Sequence, residues 1–373
     1  MTVSLQRTAS LKVILMTNLS MALLGCQRQP PATGSREMPF TPPPAAPPEP
    51  VPPPEPPKLV GGVEKLDPAL DALVAPDAKV EVLARGYKWS EGPVWTGGAL
   101  LFSDVPNNVV WRWQEDAWKR GEGPREFLRP SGYSGSVPRG GEPGSNGLAV
   151  DADGRLYLCQ HGDRRIARWD PRGKVMETIA DTFKGKRFNS PNDLVVRPSG
   201  DVYFTDPIYG LEGHEKDPKR EIPWSGVYRK PAKGDVQLLD KELTFPNGLA
   251  FSPDGKTLYV AVSDPAKAIW VAYDVDGKGG VGNKRVFFDA TAQVKAGKKG
   301  LPDGLKIDEA GNLFATGPGG VLVFTPAGKH LGTIITGEPT ANCAFGDDGH
   351  TLYMTANDKL TRIRLKTRGT VGK

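Results

Sequence analysis

The chain has 373 residues, enough for one large single-core domain with appendages or for two small domains. Its net charge of +5 comes from Lys and Arg interleaved with Asp and Glu, and the absence of a basic stripe argues against a nucleic-acid partner. Three cysteines, Cys26, Cys159 and Cys343, are too few for a disulfide framework, and no Cys-x-x-Cys or His-x-x-x-His pairing suggests zinc.

Residues 1–26 read as a secretion signal. Arg7 and Lys12 supply the positive start, and Val13 to Leu24 is mostly apolar but too short to span a bilayer. The run Ala22-Leu23-Leu24-Gly25-Cys26 resembles a bacterial lipobox, although Leu24 stands where a small residue is more usual. The expectation is cleavage before Cys26, lipid attachment to its sulfur, and an exported protein anchored to a bacterial envelope membrane on its periplasmic or outer-membrane face. An ordinary signal peptide with a coincidental Cys is the alternative. Residues 27–60 are dominated by proline, which lacks a backbone donor and favours extended polyproline II, so this stretch reads as a semi-rigid spacer.

From Val80 onward one pattern repeats: a short apolar strand, a Gly-containing turn, and a second apolar strand. The copies lie at 92–103, 147–159, 193–205, 248–260, 304–316 and 343–355, spaced by roughly 40–55 residues, the range of propeller blades. Third strands are expected at Arg165–Trp169, Gly226–Arg229, Ala268–Asp274 and Gly320–Thr325. The last copy runs out of chain after Lys359–Leu365, so Val80–Leu83 is expected to complete it and close the ring. The fold class is therefore all-β, a six-bladed β-propeller over residues 80–367. Asp151-Ala152-Asp153-Gly154 lacks the full calcium-loop pattern and reads as a hairpin turn.

Just before, or at the start of, the first strand of each copy stand Glu91, Asn146, Asn192, Asn247, Asp303 and Asn342. In a propeller the first strands line the axial channel, so these side chains are expected to form a ring of oxygens at one mouth. Hard oxygens without Cys or His suit Ca²⁺ better than zinc or copper. Asn-Gly and Asp-Gly are also ordinary turn formers, but a Glu in the series is not asked for by turn chemistry. A wider rim is expected from Asp104, His161, Asp206, Asp264 and Asn357 at the ends of the second strands, whereas His214, His330 and His350 are assigned to surface loops.

Glu91-Gly92-Pro93-Val94-Trp95, Asn189-Ser190-Pro191-Asn192-Asp193, Pro246-Asn247-Gly248-Leu249 and Pro302-Asp303-Gly304, in this order and spacing, resemble the SMP-30/gluconolactonase (regucalcin) family, with more distant similarity to the paraoxonases. The resemblance covers roughly Val80 to Leu365. It implies one divalent metal, Ca²⁺ or another, at the channel mouth, with Glu91, Asn192, Asn247 and Asp303 as ligands and Asn192 also available to substrate. Ser190 stands where mammalian members carry Arg, while Asn146-Gly147-Leu148 and Cys159 to Arg165 resemble the bacterial and fungal lactonase branch. Asn146 and Arg187 are candidate substrate contacts.

The expected activity is calcium-dependent, gluconolactonase-like opening of a sugar lactone, with the metal polarising the carbonyl and Asp303 or His161 as general base. Calcium binding reduces a carboxylate's basicity, which favours His161; family precedent favours Asp303. Two rival readings are a non-catalytic propeller that binds a partner and a metal-dependent esterase or phosphotriesterase on the same fold. The expected partner is a small-molecule lactone, and the sequence gives no oligomeric state.

Overall fold

Each repeat folds as the local pattern dictates. Apolar residues on alternate positions make a two-faced strand, and a glycine with positive φ turns the chain back: Gly154, Gly200, Gly255 and Gly311 all take φ between 70° and 88°. The computed structural model describes residues 58–371; the signal-like segment, Cys26 and the proline-rich stretch up to Pro57 lie outside them.

Six blades follow in chain order. Blade 1 contains Ser90–Thr96, Ala99–Asp104, Val109–Trp113 and Arg125–Leu128. Blade 2 contains Ser145–Val150, Leu156–Gln160, Arg165–Asp170 and Val175–Ala180. Blade 3 contains Leu194–Val196, Val202–Asp206, Gly226–Lys230 and Gln237–Asp240. Blade 4 contains Pro246–Phe251, Thr257–Asp264, Lys267–Val275 and Val281–Asp289. Blade 5 contains Leu305–Ile307, Leu313–Gly317, Gly320–Phe324 and His330–Ile335. Blade 6 contains Thr340–Gly346, Thr351–Ala356 and Lys359–Arg364, and is completed by Val80–Arg85. Val80–Arg85 pairs antiparallel with Lys359–Arg364, so the ring is closed by the N-terminal strand as expected.

Two strands precede that closure. Lys58–Val60 pairs with Val80–Val82, and Gly62–Lys65 pairs with Gly332–Ile335, adding a fifth strand to blades 6 and 5. Lys58–Val60, the last residues of the stretch read as spacer, are therefore part of a blade. Covering these two outer edges satisfies backbone groups that an open edge leaves unpaired.

The first strands of successive blades touch one another all the way round, from blade 1 to blade 6 and back to blade 1, and so line the axis. The hydrophobic core is divided to match. Each of six apolar clusters lies between two neighbouring blades, for example Tyr157, Cys159, Phe204 and Tyr228 between blades 2 and 3. Trp270 and Phe324 pack between blades 4 and 5 with ring centroids 5.5 Å apart. The rigid elements thus surround the axis while the axis itself is left to polar side chains.

Candidate active site and its place among known proteins

The ring is assembled by close approach between blades. An added Cβ at Gly92 would fall 2.1 Å from the Asn146 carbonyl oxygen, and one at Gly147 would fall 2.4 Å from Asp193 Oδ1. At Gly248 it would fall 2.3 Å from the Asp303 carbonyl oxygen, and at Gly304 2.0 Å from Asn342 Oδ1. Of these four glycines only Gly92 has positive φ, so the other three are required by space around the axis and not by turn chemistry. Hydroxyls on the second strands add cross-blade links. Ser103 Oγ donates to the Asn146 carbonyl (2.8 Å), Thr205 Oγ1 to that of Asn247 (2.7 Å), and Thr316 Oγ1 to that of Ala341 (2.8 Å). Blade 2 carries Cys159 at this place; there the Gly147 amide donates to the Asn192 carbonyl at 2.8 Å, as the Gly304 amide does to that of Ala341.

The ring residues predicted from the repeats are brought together. Glu91, Asn146, Asn192, Asn247 and Asn342 are all buried. Asp303 keeps a partly exposed edge, but its Oδ1 is buried and has no hydrogen-bond partner. Asn192 Oδ1 is likewise buried and unpartnered. Asn247 donates its amide nitrogen to Ser263 Oγ at 2.9 Å, which fixes which end of the amide is the oxygen. Burial pushes the Glu91 carboxyl up to about 8; the Gly92 amide, donating to its Oε2 at 2.6 Å, opposes this and the charge of Asp193 adds to it. Burial, followed by the charge of Glu91, holds Asp303 well above the ordinary carboxylate range. Buried like charges of this kind are costly unless a cation neutralises them.

Among the described residues no three His, Cys, Asp or Glu side chains gather as a metal cluster. The ring is a different kind of set, two carboxylates with amide oxygens. Its unpartnered oxygens and mutually repelling carboxyls fit a hard divalent cation, which accepts neutral oxygen donors.

The expected rim divides. Asp206 does not face the ring. Its Oδ2 accepts from the Asn189 amide (2.9 Å) and its Oδ1 from the Ser190 amide (2.7 Å), which holds the approach to Asn192; burial raises its carboxyl to about 7 against these bonds. Asp104 does the same for the approach to Glu91, accepting from the Lys88 and Trp89 amides, and Asp264 accepts from Thr244 Oγ1 three residues before Asn247. Asn357 sits in a turn with φ 54°, and its carbonyl accepts from Ser90. These residues brace the approaches to the ring residues from behind. Only His161 of that group stays a candidate for chemistry. It is fully buried, its ring nitrogens lack hydrogen bonds, and Glu142 Oε2 stands 3.1 Å from its Nδ1, off the direction an N–H would need.

Arg187 lies on an exposed hairpin and donates to the Asp163 carbonyl, beside a 320 Å³ groove lined by Tyr133, Asp163 and Arg165 rather than in the ring. Ser190 is buried, donates to the Pro207 carbonyl at 2.7 Å and accepts from the Gly210 amide at 2.9 Å, pinning the loop that carries Tyr209. His330 is not a surface loop residue: it opens the outer strand of blade 5, half-buried against Phe324.

Several residues escape the sequence reading. Tyr209 stacks on Phe245 with centroids 5.9 Å apart; burial raises its hydroxyl and the nearby charge of Asp303 adds to that. Asp193 is buried in the channel, where Asn342 Nδ2 reaches its Oδ2 at 3.4 Å; burial raises its carboxyl and the charge of Lys306 opposes this. Its signal was available: Asp193 follows the ring residue where four other copies have glycine. Glu142 and Tyr209 lie in loops with no repeat to mark them.

With the site in place, comparison with known proteins is direct. The sequence profile of the SMP-30/gluconolactonase/LRE-like region matches residues 89–358. The chain belongs to this family. A gluconolactonase from Zymomonas mobilis subsp. mobilis is 43% identical over 318 residues, covering 83% of this chain and 88% of that protein. The structure of a gluconolactonase from Xanthomonas campestris superposes with a TM-score of 0.69 at 32% identity, covering 83% of this chain and 98% of that one. A calcium-binding regucalcin from Agrobacterium tumefaciens, 21% identical, covers 78% of this chain and 96% of that one with a TM-score of 0.59 and shares the fold.

Proposed function

We propose that this protein hydrolyses sugar lactones of the gluconolactone type and that its oxygen ring holds one calcium ion through Glu91, Asn192, Asn247 and Asp303. The observation that carries the reading is the pair of carboxylates, the buried Glu91 and Asp303 with its buried, unpartnered Oδ1, beside the unpartnered oxygen of Asn192. Similarity to gluconolactonases supports the substrate class.

A bound divalent cation supplies positive charge that polarises the lactone carbonyl and stabilises the oxyanion. The chain supplies the rest. Tyr209 and Phe245 form an aromatic wall against which a sugar ring can pack, and buried Asn146 offers a polar contact at the mouth. His161 acts as the general base: it takes a proton from the attacking water as the water oxygen bonds to the carbonyl carbon. The ring C–O bond then breaks, and the proton passes to the leaving alkoxide, giving the hydroxy acid. His161 is preferred to Asp303 because its nitrogens are free, whereas Asp303 is assigned to the cation.

The test is acid release from gluconolactone, an aryl ester and a phosphotriester, with and without a chelator. Fast, chelator-sensitive release from the lactone supports the reading. Faster turnover of the ester or the phosphotriester reassigns the substrate, no turnover of any of them leaves a binding module, and chelator-insensitive turnover removes the cation. The lipobox-like run ending at Cys26 supports, as part of the same proposal, an exported, lipid-anchored protein held off the membrane by residues 27–57. A signal-cleaved Cys26→Ser protein that still partitions into detergent would sink that part.

A further inference from the structure

The loop joining blades 1 and 2, residues 129–144, is much longer than a hairpin connection and is fastened at many points. Asn108 Oδ1 accepts from the amides of Ser131 (3.0 Å), Gly132 (2.7 Å) and Tyr133 (3.2 Å), and Asn108 Nδ2 donates to the Tyr133 carbonyl at 2.9 Å. Ser134 binds Asp163 through its amide (3.0 Å) and hydroxyl (2.8 Å), and Gln160 Nε2 donates to the Ser131 carbonyl at 2.8 Å. Arg139 reaches the carbonyls of Gly162 and Gly210, and the Gly140 amide donates to Glu212 at 2.9 Å. The His161 amide in turn donates to the Gly144 carbonyl at 3.2 Å. These bonds tie the loop to both sides of His161, and they deliver Glu142 to the imidazole.

The position of Glu142 is informative. Its Oε2 is 3.1 Å from His161 Nδ1, its side chain is about one-third exposed, and its charge also reaches Asp303 and Glu91. Gly210 packs on the other side of His161, where a Cβ would fall 2.6 Å from the His161 Cβ. The imidazole is thus wedged from one side and faced by a carboxylate at one nitrogen, with Nε2 free of any protein partner.

We propose that Glu142 is the positioning residue for His161: it holds the imidazole as the Nδ1–H tautomer, leaving the Nε2 lone pair directed at the reacting water. A carboxylate beside one imidazole nitrogen favours the proton on that nitrogen, and only an unprotonated Nε2 can act as a base. A small rotation of the Glu142 side chain completes the hydrogen bond that the 3.1 Å separation prepares. Glu142 takes no proton in the reaction and touches no reacting atom. The inference rests on the proposed lactonase reading with His161 as base.

The test uses the calcium-loaded enzyme with Glu142→Gln beside His161→Gln, and three measurements. The first is the tautomer state of His161 from long-range ¹⁵N correlation spectra. The second is kcat and KM for gluconolactone, and the third is calcium affinity by calorimetry. Glu142→Gln is expected to shift the His161 nitrogen signals toward the Nε2–H form. It is expected to lower kcat about tenfold or more, with KM within about twofold and calcium affinity within a few-fold. Unchanged His161 nitrogen signals, or unchanged kcat, would overturn the proposal. Calcium affinity that falls in step with kcat would overturn it too, because Glu142 would then act through the cation. Because the nitrogen signals need no turnover, failure of the lactonase reading is read separately: wild-type protein inactive on every lactone, or fully active His161→Gln, strikes that reading.

Discussion

The two mouths of the axial channel are made from opposite ends of the same six inner strands, and they differ in almost every property. The mouth at the strand starts is narrow and polar, with carboxyls and amides buried where glycines let neighbouring blades approach. The mouth at the strand ends opens into a 680 Å³ cavity, larger than the 320 Å³ groove beside Arg187. The cavity floor is apolar (Trp95, Val150, Val196, Phe251, Ile307 and Phe345), and the lining also includes Asp151, Arg197, Asp254, Lys306 and Glu309. The larger cavity and the unpartnered buried oxygens are therefore at opposite ends. The wide end has room but few buried polar groups left unpaired. The narrow end has unpartnered oxygens and repelling carboxylates, and buried polar groups without partners are where a protein holds free energy in reserve for a ligand.

The sharpest way to break this contrast is to neutralise the narrow mouth. Glu91→Gln and Asp303→Asn should each lower lactone hydrolysis by about 10²–10³-fold or more, since each takes an anionic ligand from the cation that stabilises the oxyanion. The same variants should melt higher than wild type at neutral pH in the presence of chelator, because Gln and Asn are buried without the proton uptake that the raised carboxyls need on folding. A variant with wild-type turnover, measured by acid release, would show that the chemistry lies elsewhere.

A smaller effect should appear in the pH dependence of stability. Glu91 and Asp206 are raised in the folded protein to about 8 and about 7, above their ordinary values. Groups raised by folding favour the folded state while protonated, so this contribution is complete below about pH 4. It is lost progressively from there until pH passes about 7 for Asp206 and about 8 for Glu91. Chelated protein should therefore lose melting temperature across that interval. Saturating calcium should cancel the Glu91 share and leave the Asp206 share, and Glu91→Gln should behave like calcium-loaded protein in slope. A flat profile in chelator would contradict the burial of these carboxyls.

The smallest effect is expected at the wide mouth. Arg197 lies 4.4 Å over the Phe251 ring and donates to the Gly255 carbonyl at 3.0 Å. Arg197→Ala should cost about 1 kcal/mol in denaturant unfolding and leave kcat/KM for the lactone within about twofold. A tenfold loss of activity would mean that the two mouths are coupled.

The narrow mouth was legible where it is built by repetition. Glu91, Asn192, Asn247 and Asp303 occupy one register in copies of a local strand–turn–strand unit, so aligning the copies aligned the side chains in space. Asp104 and Asp206 were aligned just as well but misread. The repeat places a residue along a strand, whereas the choice between facing the channel and accepting from a backbone amide depends on the loop it meets.

What the sequence alone determined is the all-β, six-bladed architecture, the closure by Val80–Arg85 and the ring of oxygens, because each follows from short-range periodicity and turn chemistry repeated along the chain. The tertiary structure alone decided that Glu142 meets His161, that Tyr209 stacks on Phe245 near Asp303, and that Lys58–Lys65 covers two outer edges. Those residues belong to connections and to a lead-in segment that carry no period. Their places are fixed by hydrogen bonds to partners distant in the chain, and no local pattern encodes such a pairing.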